Sequence, residues 1–367
     1  MSFLAAKYTG RGDVHVVDPS VDLRHIFDNI EPMKLSLEER RSKIDLTEVK
    51  EGYDNWWAKY NLWKNEKENA QDLKKELRAE QQGLLSALSL PNFVKKVGKE
   101  EKQMLKQSVH MDYLQSKGLM RIEKEADVVH LVGFPVLLQN YLEHHLLDMF
   151  SDATLISPSC FARAALLEAA NVNFDLYMPF TDGSEKFPKS YLVGNSIFAL
   201  LSPFVRSEFS EKNNWPITLQ SIGMAYYAKK NKTNLSNARQ RLKHTILFMA
   251  RTDEEVESFI QDTSLKLAGL LDEGLLLELK LRTVKGKELK NYESQAITLE
   301  DKGLQLSRIS RVDDYISRRL NIVSHSQEFV KMVYVDTDID RVLARLIDGL
   351  VEGKPVARSI KGLISLD

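Results

Sequence analysis

The chain of 367 residues is long enough for two domains, or for one large domain with an appendage. Hydrophobic residues make up 43% and charged residues 28%, a balance that excludes a disordered protein, and no apolar run is long enough to cross a bilayer. The formal net charge of −1 excludes a general attraction to nucleic acid, so binding of that kind requires a local basic patch.

A long amphipathic helix is predicted from Leu46, where apolar residues recur at alternating spacings of three and four, as in a coiled-coil seam. The seam consists of Leu46, Val49, Tyr53, Trp56, Tyr60 and Trp63. Asp45 and Glu48 resemble a capping box at the helix start. The spacing resumes between Ala70 and Leu88, and the polar run 64–69 predicts the turn of an antiparallel hairpin, with one continuous helix as the alternative.

A domain boundary is predicted after Leu90-Pro91-Asn92, which separates an N-terminal helical arm, residues 1–100, from a larger body, residues 101–367. In the body, 136–150 and 254–271 have helical periodicity, whereas 191–193 and 217–219 have the character of strands. Because strands and helices do not alternate regularly, we expect an α+β fold with an antiparallel sheet.

The single cysteine, Cys160, has no second cysteine with which to form a disulfide or a zinc site. A reducing compartment and a fold without a metal or a cofactor are therefore favoured. We expect Cys160 to be a core residue.

Four segments occur in a characteristic order: Leu90-Pro91-Asn92; Val132-Gly133 followed by Leu137-Leu138 and Pro158; Tyr191-Leu192-Val193; and Asp314 to Ile322 with tandem arginines. In this order they resemble the seryl-tRNA synthetases. The resemblance implies a class II aminoacyl-tRNA synthetase-like antiparallel sheet flanked by helices, with an N-terminal helical coiled-coil arm that is shorter than usual. It also implies a dimer interface, for which the candidate residues are Leu137, Leu138, Tyr141, Leu142 and Pro158.

The same resemblance marks positions where the family carries its active-site groups, and the residue types there differ. A glutamate that holds the amino group of serine is replaced by Ile197, and the ATP-binding arginine and glutamate of the second motif by Tyr227 and Lys229. Gln305 stands for a metal-ATP glutamate and Arg311 for an asparagine near the serine pocket. In the third motif an acidic turn, 336–340, precedes the retained Arg341, where the family has a glycine-rich turn.

Joint loss of the groups for serine, metal and ATP predicts that the protein is not an enzyme. The resemblance extends to degenerate mitochondrial paralogues of the family in insects, and it implies a mitochondrial location. The leading hypothesis is a non-catalytic subunit that forms a heterodimer with an active mitochondrial seryl-tRNA synthetase and stabilises or regulates it. Membrane binding is not expected.

Two alternatives remain open. The first is a nucleic-acid-binding protein, for tRNA or another nucleic acid, that uses the basic stretch Gly223–Lys243, although a solvated loop explains this stretch equally well. Its basic residues are Lys229, Lys230, Lys232, Arg239, Arg241 and Lys243. The second is a ligase or transferase with another substrate, in which Arg319 and Arg341 bind anions.

Overall fold

The computed structural model describes residues 22–65, 70–99, 109–123, 126, 128–180, 190–228 and 234–364. The N-terminal part is helical, as the seam spacing predicted. Its helices are α1 His25–Asp28, α2 Ile30–Glu39, α3 Leu46–Asn65, α4 Ala70–Ala79 and α5 Gln81–Leu88. Asp45 caps α3, because its carboxylate accepts from the backbone N–H groups of Thr47 and Glu48 at 2.9 and 3.3 Å.

Helix α3 folds back on α4 and α5 as an antiparallel hairpin, so the alternative of one continuous helix is wrong. Lys59 of α3 pairs with Glu80 at 2.5 Å and lies 3.9 Å from Glu76. The two helices approach closely where Gly52 faces Gly83. The buried seam is the predicted one, with Val49, Tyr53, Trp56 and Tyr60 facing Leu77, Leu84 and Leu88. Residues 66–69 of the predicted turn lie outside the described residues.

The body is α+β, which confirms the predicted fold class. Its elements, in chain order, are α6 His110–Ser116, β1 Met120–Glu123, β2 Val128–Leu131, α7 Phe134–Met149, β3 Thr154–Leu155, β4 Phe161–Arg163, α8 Ala164–Ala169, β5 Met178–Phe180, β6 Ser190–Leu192, α9 Ile197–Leu201, β7 Glu208–Phe209, β8 Ile217–Tyr226, β9 Gln240–Ala250, α10 Asp253–Ala268, β10 Leu279–Thr283, β11 Gln295–Asp301, β12 Leu304–Asp313, α11 Tyr315–Leu320, β13 Val323–Ser324, β14 Lys331–Asp338, α12 Ile339–Val351 and α13 Arg358–Lys361.

A seven-stranded sheet organises the body, in the order β10-β11-β12-β14-β9-β8-β3. All neighbouring strands are antiparallel except the edge strand β3, which runs parallel to β8. One face of the sheet packs against α7, α10 and α12, and the other against α8, α9 and α11. The central strands β9 and β14 are consequently buried on both faces.

The last part of the arm, residues 92–98, is hydrogen-bonded to the body. Backbone N–H groups of Asn92, Lys95 and Gly98 donate to carbonyls of Asn291, Ser294 and Val284 at 2.6–2.9 Å. The carbonyl of Leu90 accepts from the Tyr315 hydroxyl at 2.7 Å and from the Arg319 guanidinium at 3.4 Å. The tandem-arginine segment therefore contributes to the arm–body junction. The division into an arm, residues 1–100, and a body, residues 101–367, stays a prediction.

Arg40, directly after α2, also binds this junction. Its guanidinium donates to the carbonyl oxygens of Asn92, Leu289, Lys290 and Glu293 at 2.5–3.2 Å. Burial lowers the pKa of Arg40 and also the pKa of Arg319. Both arginines are satisfied largely by carbonyl dipoles, which fix the direction in which the arm leaves the body.

Within the described residues, no helix is long and apolar enough to span a membrane. In the same part of the chain, no cluster of three or more His, Cys, Asp or Glu side chains is placed to bind a metal ion. Cys160 is exposed, so the prediction that it is a core residue is wrong. It precedes β4, at a sheet edge rather than on a core-facing position.

Replacing Gly83 with alanine tests the close approach of the arm helices. A Cβ atom at Gly83 would lie 2.0 Å from the carbonyl oxygen of Gly52, so the helices must separate. We expect Gly83→Ala to lower the free energy of unfolding by about 1–3 kcal/mol, although alanine is otherwise the better helix former by about 1 kcal/mol. Gly269→Ala, where a Cβ meets nothing within 4 Å, is the matched control. Denaturant unfolding that finds Gly83→Ala neutral or stabilising would contradict the hairpin.

Candidate functional site

Strands β9 and β14 carry two buried ion pairs on adjacent rungs. Arg241 contacts Asp338, and Lys243 Nζ lies 2.7 Å from both carboxylate oxygens of Asp336. Arg241, Lys243 and Asp338 are at most 5% exposed. The antiparallel register places Asp338 opposite Lys243 and Asp336 opposite Thr245, so strand pairing itself brings the four charges together.

In the Lys243–Asp336 pair, each group shifts the pKa of the other toward the ionised form. For Lys243, burial lowers the pKa, but Asp336 and Asp338 outweigh it and the pKa is raised. For Asp336, burial raises the pKa, but Lys243, with Lys290 and Arg241, holds it below the ordinary value. Each charge is thus stabilised chiefly by its partners, since a buried ion without a counter-ion is strongly disfavoured.

Tyr227 packs against both cations. The guanidinium carbon of Arg241 lies 4.5 Å from the centre of its ring, and Lys243 Nζ lies 5.3 Å from it. The hydroxyls of Tyr177, Tyr292 and Tyr334 lie nearby, and burial raises the pKa of each well above its ordinary value. Tyr227, at the position where the resemblance places an ATP-binding arginine, therefore contributes an aromatic face to which the cations bind.

The Arg341 side chain binds backbone carbonyls, and one of them belongs to Gln305. The Arg341 guanidinium donates to the carbonyls of Gln305 and Ser236 at 3.0 and 2.9 Å, and it also lies 3.5 Å from Asp338. Gln305 Oε1 is 3.5 Å from Arg308, which forms a buried pair with Glu293 at 2.5 Å. We call the paired side chains of Arg241, Lys243, Asp336 and Asp338 the charged face of β9 and β14. The structure thus brings Gln305 and Arg341 to the same end of the charged face.

Arg311 lies elsewhere. Its side chain is 2% exposed, donates to Asp313 at 2.7 Å and contacts Asp253 and Glu257 of α10. It therefore joins β12 to α10 and does not line the cluster around Lys243.

The side chains of residues 195–197 make their contacts within the protein. Ser196 caps α9, and Ile197 is 2% exposed in the core beneath the sheet. Asn195, which the sequence did not single out, donates to the carbonyls of Ser221 and Lys243 at 3.1 and 2.8 Å and accepts from the Thr245 hydroxyl at 2.7 Å. It links β8 and β9 at the floor of the site. Its only signal in the sequence is an amide directly after the strand-like segment 191–193.

The basic stretch divides into three parts. Lys229, Lys230 and Lys232 lie outside the described residues. Arg239 is partly buried and contacts the sulfur of Met178. Arg241 and Lys243 belong to the ion pairs of β9, so they are core residues rather than exposed phosphate-binding groups. The reason is that β9 begins at Gln240 and carries both side chains into the sheet.

The candidate interface residues fall on two sides of α7. Leu138 and Leu142 are each 1% exposed and pack in the core, so they are not interface residues in this structure. Leu137 is 49% exposed, whereas Tyr141 and Pro158 are half-buried. Val132, directly before α7, and Leu155 on β3 are further exposed apolar residues. The other exposed side chains of α7 are polar, namely Asn140, His144, His145 and Asp148.

The sequence matches no protein-family model and no characterised protein in the curated set. Structural similarity is extensive. The cytoplasmic serine-tRNA ligase of Naegleria fowleri, in complex with AMP, has a TM-score of 0.74 and 15% identity, over 94% of this chain and 96% of that chain. The seryl-tRNA synthetase of Pyrococcus horikoshii, complexed with ATP, has a TM-score of 0.69 and 14% identity, over 88% and 93% of the two chains.

A prolyl-tRNA synthetase is more distant: that of Cryptosporidium parvum has a TM-score of 0.57 and 10% identity, over 65% of this chain and 51% of that chain. The sheet and its flanking helices therefore have the class II aminoacyl-tRNA synthetase fold, as the resemblance implied. Both seryl-tRNA synthetases match along nearly the whole chain, so the helical arm is part of the similarity.

Removing one charge tests the pairing of β9 with β14. We expect Lys243→Met to cost about 3–5 kcal/mol, because Asp336 then stays buried without its main counter-ion. The double variant Lys243→Met/Asp336→Leu should recover most of that loss. Lys34→Met is the matched control, since Lys34 pairs with Glu31 at 2.7 Å on the exposed surface, where a pair contributes about 0–1 kcal/mol. Chemical denaturation that finds Lys243→Met as mild as the control would refute a structural role for the pair.

Proposed function

We propose that this protein is a non-catalytic paralogue of seryl-tRNA synthetase that acts by association, as a subunit beside an active mitochondrial seryl-tRNA synthetase. One observation carries the proposal. The charged face of β9 and β14 is already neutralised from within, by Asp338 on Arg241 and by Asp336 on Lys243.

A nucleoside triphosphate requires cations that are free to meet its phosphates. Here Arg241 and Lys243 are already paired with Asp338 and Asp336. Releasing one buried cation costs about 3–5 kcal/mol, which corresponds to a loss of roughly two to four orders of magnitude in affinity. The geometry therefore supports a large loss of ATP affinity.

The groups that the resemblance assigns to serine and to metal-ATP are also unsuited to them. Ile197 is apolar and buried, so it offers no carboxylate to an ammonium group. Gln305 has an amide in place of a carboxylate, and amides are weaker ligands for divalent metal ions. Arg341 is held by backbone carbonyls.

We propose that the protein associates with its partner through the outer side of α7. Leu137 and Tyr141 lie one helical turn apart, and Leu155 of the edge strand β3 is 61% exposed. Stable interfaces bury roughly 1,600 Å² and place apolar side chains at their centre. The family resemblance suggests a seryl-tRNA synthetase subunit as the partner, and it is the basis for proposing the mitochondrial location and the degenerate paralogue.

The two alternatives have less support. For nucleic-acid binding, two of the six basic residues are buried and three lie outside the described residues. In our proposal, tRNA is bound by the partner subunit. For a ligase with another substrate, Arg319 is 2% exposed at the arm–body junction, and Arg341 is engaged with carbonyls. Neither arginine is presented to an anionic substrate.

Catalysis is tested by serine-dependent exchange of pyrophosphate into ATP. We expect no exchange above a control without enzyme, and no saturable ATP binding, because the cations are neutralised internally. An active seryl-tRNA synthetase assayed in parallel establishes the sensitivity. Serine-dependent exchange by the purified chain would overturn the proposal.

Association is tested by Leu137→Asp, which puts a charge on the outer side of α7, where Leu137 is 49% exposed. We expect the variant to stay folded but to lose the complex with the synthetase subunit, as measured by co-purification and complex mass. Leu265→Asp is the control, because Leu265 is 65% exposed on α10 and is not one of the candidate interface residues. The proposal fails if the wild-type protein is monomeric and never co-purifies with a synthetase.

A further inference from the structure

Lys290 adds an unpaired cation beside the charged face. It is exposed, and its ammonium group lies 5.5 Å from the centre of the Tyr292 ring. In the described part of the chain, no carboxylate forms an ion pair with this ammonium. Its charge nevertheless reaches the face: burial raises the pKa of Asp336, but Lys243 and then Lys290 lower it below the ordinary value.

The carboxylates near Lys290 are already matched by other cations. Asp336 and Asp338 pair with the two cations of β9, and Glu293 forms its buried pair with Arg308. Each of these carboxylates therefore has its counter-ion without Lys290. The ammonium of Lys290 is left as a positive charge that an anion from solvent can reach.

Two buried tyrosines lie beside this cation. Tyr334 is two residues before Asp336 on β14 and so shares its face of the sheet. Tyr292 and Tyr334 are 2% and 3% exposed, and among the described residues neither hydroxyl has a hydrogen-bond partner. Burial raises the pKa of each well above its ordinary value, so both hydroxyls stay protonated and can donate. A buried donor without an acceptor is unfavourable, and a ligand oxygen that accepts from it removes that cost.

These groups match one kind of ligand. A carboxylate carries a single negative charge, as the single unpaired ammonium requires, and it accepts hydrogen bonds at two oxygens. A phosphate monoester carries about two charges. A ligand with an ammonium group of its own is disfavoured, because the nearby carboxylates are already paired and Ile197 stands where the resemblance places a glutamate for serine.

We propose that Lys290, Tyr292 and Tyr334 form a binding site for a small monocarboxylate that has no ammonium group. Because Lys290 is exposed and both tyrosines are buried, the ligand enters from solvent. Its carboxylate meets the ammonium of Lys290 and accepts hydrogen bonds from the tyrosine hydroxyls. Binding at this site does not depend on the proposed association with a synthetase subunit.

Glycerate tests the site against serine, because the two molecules differ only by a hydroxyl in place of the ammonium group. In the whole chain labelled with ¹³C-tyrosine, we expect glycerate and acetate to bind saturably and to move the ring signals of Tyr292 and Tyr334. Serine should bind at least about tenfold more weakly, because its ammonium meets cations. Serine binding that equals or exceeds glycerate binding overturns the proposal, and so does the absence of saturation with both carboxylates.

Variants locate the binding groups. Lys290→Met should weaken glycerate binding by about tenfold or more, since a hydrogen bond to a charged group is lost. Tyr334→Phe, which removes only the hydroxyl, should weaken it by roughly threefold to tenfold. Lys212→Met, at another exposed lysine, is the matched control and should bind as the wild type does. Glycerate binding that is unchanged in Lys290→Met refutes the site.

Discussion

Two positive charges on β9 lie inside the sheet, and the arrangement of the surrounding elements depends on how they are neutralised. Lys243 and Arg241 would each be strongly destabilising if buried alone. Asp336 and Asp338 of β14 remove that cost only if the two strands pair in one register, since a slip of one residue would turn the carboxylates to the opposite face. The ion pairs are therefore weak contributors to net stability but strong determinants of register.

The same pairs constrain what the face can do. Asp338 neutralises Arg241 and also caps α12, so moving it toward a ligand would release both a buried cation and a helix N-terminus. Tyr227 adds an aromatic surface against the cations. The charges of this face are therefore neutralised largely within the protein.

Two further sets of contacts position the elements around the sheet. The arm is fixed to the body by carbonyl contacts of Arg40, Tyr315 and Arg319, so the tandem-arginine segment has a structural role at the junction. Helix α7 is anchored from within through the hydrogen bond of Gln139 to Asp340, and Leu137 is exposed on its outer side. Both features depend on packing and hydrogen bonds within the chain.

The sequence by itself determined the elements whose signal is local. Periodic spacing predicted α3 and its seam, because helical side chains at three- and four-residue separations share a face, and Asp45 marked its start. The mixture of strands and helices predicted α+β. By contrast, Lys243 and Asp336 are 93 residues apart, so only the pairing of non-consecutive strands showed that a basic stretch supplies core ions.

The tertiary structure also determined which apolar residues of α7 are exposed. Leu137 and Leu138 are adjacent and equally apolar in the sequence, yet one is 49% and the other 1% exposed. A periodic stripe specifies that one face is buried, but the sheet against which the helix packs selects the face. Gln139 is likewise an ordinary polar residue in the sequence. Its contact with Asp340 exists only because α7 and the start of α12 lie side by side over the same face of the sheet.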